Sequence, residues 1–258
     1  MLPPVRIPRT AMVLAAGLGL RMRPLTLDRP KPLIPVLGKP MLDHALDRLA
    51  EAGVETAVVN NHYLGGMIEA HLAGRAAPVI VHSPESVILE TGGGVKKALP
   101  LLGGAPVYTV NADILWLDGP VPALRRLARQ WDPETMDALL LLMATTKSVG
   151  YEGRGDYHMD PLGGLTRRAE RELAPFVFAG VQIVKPELFA DATPDGAFST
   201  NLIWDRAQEA GRLFGLAHDG LWFHIGTPDG LRGGRGSARH RRRAGGRALR
   251  LKRALPPP

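Results

Sequence analysis

Cysteine is absent from the 258-residue chain. Its absence excludes a disulfide scaffold, a thiolate nucleophile and any Cys-ligated zinc or iron–sulfur centre. No apolar run approaches the roughly 20 residues of a membrane span. Residues 1–10 hold two arginines and three prolines but no apolar stretch that could serve as a secretion signal. A soluble, cytoplasmic protein without membrane contact is expected. Hydrophobic residues make up 45% of the chain, ample for a real core, and the length suits one large α/β domain or at most two small ones.

Acidic residues are missing from the C-terminal segment. Residues 231–258 contain ten Lys and Arg and no Asp or Glu, so the formal charge of +7 belongs to this tail. Residues 1–230 hold 22 basic and 25 acidic side chains, a net of −3. The tail also carries Gly233, Gly234, Gly236, Gly245, Gly246 and the terminal Pro256-Pro257-Pro258. Such a segment cannot bury enough apolar area to offset its ordering entropy, so disorder is expected. It reads as an electrostatic arm for nucleic acid or anionic lipid, as a solvated extension without a role, or as the product of a reading-frame change. The last two outweigh the first, leaving nucleic acid as a partner of the tail alone. The domain division is therefore 1–230 for the folded body and 231–258 for the tail.

Within the body, short apolar runs bounded by turn residues alternate with stretches of helical period, the pattern of βαβ units. Strands are expected at Ala11 to Ala15, Val54 to Val59, Val79 to Val81, Val107 to Val110, Asp137 to Thr145 and Phe176 to Val184. Two more, at Leu213 to Ala217 and Leu221 to Ile225, close the body. Leu42, Ala45, Leu46, Leu49 and Ala50 lie on one face of a helix that Gly53 stops. Further helices are expected around Leu64 to Leu72, Val95 to Leu99, Val121 to Arg129 and Asn201 to Ala210, with loops and short hairpins from Gly150 to Gly164. The expected fold is a single-domain, Rossmann-like α/β/α sandwich around a mixed, mostly parallel sheet. Trp204 and Trp222 are expected in its core.

A glycine-bearing loop follows the first strand: Ala15-Ala16-Gly17-Leu18-Gly19-Leu20-Arg21-Met22-Arg23-Pro24-Leu25-Thr26, then Arg29-Pro30-Lys31-Pro32. Glycines directly after a buried strand let backbone N–H groups approach a phosphate. Met22 stands where a dinucleotide fingerprint needs its third glycine, and no Gly-Lys-Ser/Thr follows as a Walker A loop requires. What remains, a guanidinium and an ammonium beside the loop, suits a triphosphate whose charge must be neutralised. Histidines show no metal-ligand spacing, and no nucleophile elbow supports covalent acyl chemistry.

This segment resembles the signature of the sugar-1-phosphate nucleotidyltransferases. The resemblance continues in order through Asn60-Asn61-His62-Tyr63-Leu64, Ser83-Pro84-Glu85, Leu89-Glu90-Thr91-Gly92-Gly93-Gly94, Asn111-Ala112-Asp113, Gly153-Arg154-Gly155-Asp156-Tyr157 and His224-Ile225-Gly226-Thr227-Pro228. It covers residues 9 to 230 and implies the nucleotide-diphospho-sugar transferase type of fold. The wording is most similar to the branch that acts on N-acetylmuramate 1-phosphate with UTP, an activity of cell-wall recycling. Mannose 1-phosphate with GTP, or a heptose 1-phosphate, is the next expectation. A nucleotide-sugar-binding regulator without catalysis is the alternative of another class.

By this resemblance Arg21 lies on the β- and γ-phosphates and Lys31 bridges the α-phosphate and the sugar phosphate. Ala16, Gly17, Gly19 and Leu20 cradle the nucleotide, Gly92 and Gly93 form a loop that approaches the base, and Asn111 touches the nucleotide. Gly155, Asp156 and Gly180 face the sugar. Asp113 binds a divalent metal, Mg²⁺ by preference; a carboxylate at the end of a parallel strand suits that role independently. His224 departs from the family, which has an Asp there to complete the metal site. Three readings stay open: it binds a softer metal such as Mn²⁺, it hydrogen-bonds a phosphate, or Asp113 acts alone with water. Asp219 is a nearby carboxylate that could substitute. The oligomeric state is not legible.

Overall fold

The computed structural model describes residues 7–190, 193–228 and 231. The basic segment 232–258 lies outside the described residues. Leu231, placed at the start of the tail, is buried with Phe223 and Ile225, and its N–H reaches the Thr227 carbonyl at 3.0 Å.

Strand β1 (Thr10–Leu14) has a fully buried centre and leads into the glycine loop. A two-residue ribbon, β2 (Pro35–Val36) with β3 (Lys39–Pro40), precedes helix α1 (Met41–Ala52). Leu42, Ala45, Leu46 and Leu49 are completely buried along α1, which ends at Gly53 with φ 97°. Glycine adopts that left-handed conformation without the Cβ penalty. Next come β4 (Thr56–Asn61), α2 (Gly65–Leu72), β5 (Val79–Pro84), α3 (Glu90–Leu102) and β6 (Val107–Asn111). Strands β6, β1, β4 and β5 lie side by side, all parallel. Successive connections run outward from β1 to β5, and α3 then returns the chain to the other side of β1. Strand order reverses between β1 and β6, and open α/β sheets bind ligands beyond the strand ends at such a point.

In the second half, β7 (Ile114–Leu117) leaves the main sheet and α4 (Ala123–Gln130) leads to β8 (Ala138–Ala144). A hairpin of β9 (Tyr157–Met159) and β10 (Leu165–Arg167) forms one edge of the sheet. Strand β11 (Phe176–Val184) runs antiparallel to both β6 and β8. Helix α5 (Asn201–Glu209) and β12 (Leu213–Ala217) follow, with β12 parallel to β8. The last strand, β13 (Leu221–His224), pairs with β7 instead of extending the main sheet.

Alternation along the strands sorts the core into two faces. Val13, Val59 and Val110 face α1, α2 and α4, while Met12 and Val58 face α3 and α5. The result is the expected α/β/α sandwich around a mixed nine-stranded sheet. Two local expectations are corrected. Helix α3 begins at Glu90 and takes Gly92, Gly93 and Gly94 into its first turn, where a loop was expected. Strand β7 was not foreseen: it is four residues long and its partner lies at the far end of the body.

Two histidines, His218 buried and His44 half-buried, brace these elements. His44 Nε2 lies 2.8 Å from the Val36 carbonyl and His218 Nε2 lies 3.1 Å from the Leu117 carbonyl. Burial pushes both imidazoles below their ordinary pKa. Both therefore take up protons less readily in the folded chain than in the unfolded one, which protonates below about pH 6.5, so stability is lost as pH falls through that value. The melting temperature should drop between about pH 7 and pH 5.5, with a shallower slope in the His44→Gln/His218→Gln double variant. Equal melting temperatures at both values would contradict this.

Candidate active site

The strand-order reversal opens a cleft of two lobes. The first, about 360 Å³, lies against the loop after β1 and is bordered by Ala16, Gly17, Lys31, Asn60, Glu85 and Thr91. The second, also about 360 Å³, is bordered by Arg21, Asp156, Arg167, Gly180, Trp222 and His224. Asn111 and Asp113 line both, so the end of β6 forms a sill between them.

Lys31 Nζ donates to Asp113 Oδ2 at 2.8 Å across that sill. The lysine is only 7% exposed, whereas the Asp113 side chain is 43% exposed and open to a ligand. Local sequence brings Lys31 there. Pro30 is extended, and Lys31 opens the short turn Lys31–Leu33 with Pro32 behind it, both of them buried. Gly19, at φ 62°, allows the loop to close on it: a Cβ at Gly19 would come within 3.0 Å of both Lys31 Cβ and Thr26 Cγ2. Thr26 Oγ1 donates to the Gly19 carbonyl at 2.9 Å and fixes the fold-back.

A buried polar chain supports the first lobe. Asn60 Oδ1 accepts the Ala15 N–H at 2.7 Å, and its Nδ2 donates to Glu85 Oε1 at 2.7 Å. Glu85 Oε2 accepts the Leu89 N–H at 3.1 Å. The glycine loop and the start of α3 are thus tied through one amide and one carboxylate. Gly94 makes room for them, since its Cβ would lie 2.8 Å from Asn60 Nδ2 and 2.9 Å from Glu85 Oε1.

An aromatic wall supports the second lobe. Tyr151 meets Trp222 and His224 edge-on, with centroids 6.2 Å and 5.9 Å apart. Trp222 Nε1 donates to the Ala179 carbonyl at 2.9 Å, securing a bulge in β11 where Gly180 has φ 79°. A side chain at Gly180 would strike Ile114 and crowd Asn111, so this glycine keeps the sill accessible. Burial and, after it, the Lys31 cation hold the His224 imidazole below its ordinary pKa, with Arg21 adding to them and Asp113 opposing. The imidazole that lines the lobe with Asp113 is thus disfavoured from carrying a proton.

The cleft gathers Ala16, Gly17, Lys31, Asn111 and Asp113 in the first lobe, and Arg21, Asp156, Gly180 and His224 in the second. Five expected residues line neither lobe. Gly19 packs on Lys31, and Leu20 is 53% exposed. Gly92 and Gly93 sit in α3 with their N–H groups on the Phe198 carbonyl, at 2.8 Å and 3.2 Å. Their glycine character allows that approach: a Cβ at Gly92 would lie 2.4 Å from the Phe198 ring, and one at Gly93 2.3 Å from the Gly196 carbonyl oxygen. Gly155 abuts the Ala174 carbonyl. Asp219, considered as a substitute metal ligand, is engaged by Arg126 at 2.9 Å and lines neither lobe. Glu85 and Arg167 were not singled out, because burial and lobe position are invisible in a linear pattern.

Among the described residues no group of three or more His, Asp or Glu is arranged to hold a metal ion. The single open carboxylate of Asp113 suits instead a hard cation whose remaining oxygens come from substrate phosphates and water. No described helix is long and apolar enough to cross a membrane.

The family described as nucleotidyl transferase matches residues 10–151. The N-acetylmuramate alpha-1-phosphate uridylyltransferase of Caulobacter vibrioides is 51% identical over 226 residues, covering 86% of this chain and 93% of that protein. Its namesake from Neisseria meningitidis is 38% identical over 220 residues, covering 84% and 93%. A UDP-glucose pyrophosphorylase solved with UDP-glucose shares the fold, with TM-score 0.72 at 16% identity over 90% of this chain and 99% of that one. The chain belongs to the nucleotidyl transferase family. Within it, the chain is a sugar-1-phosphate nucleotidyltransferase.

Substituting Asn60→Leu strands the Ala15 N–H and one Glu85 oxygen in the interior. It should cost ~2–5 kcal/mol in urea unfolding. A loss under ~1 kcal/mol would show that the polar chain does not hold the loop.

Proposed function

We propose that this enzyme transfers a uridylyl group from UTP to N-acetylmuramate 1-phosphate, releasing pyrophosphate. One observation carries the reading: the Lys31–Asp113 pair stands where the two lobes meet, Asp113 lining both. The names of the two curated relatives supply the sugar and the base. Residues 1–230 form the catalytic domain, acting in the cytoplasm, and the tail beyond them takes no part in the chemistry.

The nucleophile is a phosphate oxygen of the sugar 1-phosphate, already ionised near neutral pH, so no general base is required. It attacks the α-phosphorus in line, the α–β bridging P–O bond breaks, and the electron pair leaves with pyrophosphate. The chain's task is alignment and neutralisation of the charge that spreads over the transferring group. Ala16 and Gly17 offer backbone to the triphosphate on the first lobe, and Asn111 contacts the nucleotide. Lys31, released from Asp113, bridges the α-phosphate and the attacking phosphate. Arg21 stabilises the departing pyrophosphate from the second-lobe side of the sill. Asp156 and Gly180 face the sugar.

Asp113 would hold a divalent cation, which when bound supplies further neutralisation of the phosphates. Mg²⁺ is the first choice for a lone carboxylate, and the His224 imidazole beside the sill makes Mn²⁺ the alternate. His224 also motivates a second reading, a regulator that binds nucleotide sugars without turnover. Pyrophosphate release over a panel of nucleotides and sugar phosphates, in Mg²⁺ and in Mn²⁺, separates the two: silence with nucleotide binding retained favours the regulator.

Removing the ammonium by Lys31→Ala should lower turnover by about 10²–10³, as for other preorganised charge stabilisers. Near-normal turnover of that variant on UTP and N-acetylmuramate 1-phosphate would overturn the role of Lys31.

A further inference from the structure

Two cations serve the sill. Lys31 pairs with Asp113, and Arg21 lines the second lobe together with Asp113 and His224. A third cation borders the second lobe: Arg167, the last residue of β10. In the sheet, β9 and β11 stand between its strand and β6, whose end is the sill, and its ion-pair partner is Asp205. It therefore lies away from the phosphates, where the rest of the sugar must reach.

Its guanidinium is held at one corner. Nη1 donates to both Asp205 oxygens, at 2.8 Å and 2.9 Å, and the backbone N–H donates to Gln208 Oε1 at 2.6 Å. Nε and Nη2 have no hydrogen-bond partner among the described residues, and the side chain is 39% exposed. Asp156 is partly occupied, since its Oδ2 accepts the Phe178 N–H at 2.9 Å. A guanidinium fixed by one nitrogen presents its remaining edge as a rigid two-donor fork, the shape that matches a carboxylate. A neutral hexose 1-phosphate has its only anion at the phosphate and gains nothing from this charge. A muramate carries a second anion, the carboxylate of its lactyl ether.

We propose that Arg167 forms a carboxylate subsite at the distal end of the second lobe and selects a sugar 1-phosphate bearing a carboxylate over its neutral counterpart. This rests on the reading of the second lobe as the sugar site. Asp205 is the positioning residue that holds the fork, and the substrate carboxylate takes the edge that Asp205 leaves open.

The test compares kcat/KM for N-acetylmuramate 1-phosphate and N-acetylglucosamine 1-phosphate, with UTP, in the wild type and in Arg167→Met, Arg167→Gln and Arg167→Lys. Thermal melts establish that each variant folds. The muramate substrate should lose about 10- to 100-fold in the Met and Gln variants, the range for a hydrogen bond to a charged group. The neutral substrate should stay within about twofold. Lysine should recover part of the loss, because it keeps the charge without the fork. Equal losses on both substrates would mark Arg167 as a strut for Asp205, and no loss on either would remove it from the site; both results overturn the subsite. A wild type that uses the neutral sugar but not the muramate overturns the substrate reading itself, and that outcome is visible before any variant is made.

Discussion

A lysine ammonium that is nearly inaccessible to water needs an anion in direct contact, and everything in the cleft is arranged around how this chain meets that need. Lys31 reaches Asp113, 82 residues away, across the gap where the strand order reverses. Uncompensated, the buried cation would be costly; paired, it pins the loop after β1 to the end of β6. The same pair is chemically poised. A phosphate can replace the carboxylate as the partner of Lys31, and a cation can replace Lys31 as the partner of Asp113. On the proposed function, substrates take over contacts that the site already makes to itself.

Around this pair the molecule divides its labour by rigidity. The first lobe is built from strand ends and a buried polar chain, with Asn60 and Glu85 each making two hydrogen bonds. Such satisfied interior networks fix geometry, because breaking any member leaves polar groups in a low dielectric. The second lobe uses an edge hairpin, an aromatic wall and a bulged strand. Those parts can change with little disturbance to the parallel core, and the proposed sugar site lies on them. Gly180 and Trp222 join the two regimes: the bulge frees a carbonyl, the indole satisfies it, and the missing side chain keeps Asn111 reachable.

Much of this was legible in the residues. Strand β11 and strand β12 appear with the boundaries read from their apolar runs, and Gly53 ends α1 as its position implied. The loop glycines, Lys31 and Asp113 converge because the signature encodes a strand end, a turn and another strand end, all local features. Other parts were hidden for identifiable reasons. A run of three glycines opposes helix formation on propensity alone, and α3 contains it only because tertiary packing against Phe198 demands backbone without side chains. Strand β7 is defined by a partner at the other end of the body, so no window around it could reveal it. Arg167 reads as one of many surface arginines until the hairpin places it beside Asp156 and Trp204.

The most direct measurement of the central idea is a crystal structure of the protein with a non-hydrolysable UTP analogue and a divalent cation. The account requires the base and ribose in the first lobe and the phosphates over Asn111 and Asp113, with Lys31 Nζ transferred from the Asp113 carboxylate to a phosphate oxygen. A complex in which the phosphates lie away from the sill while Lys31 and Asp113 remain paired would contradict it.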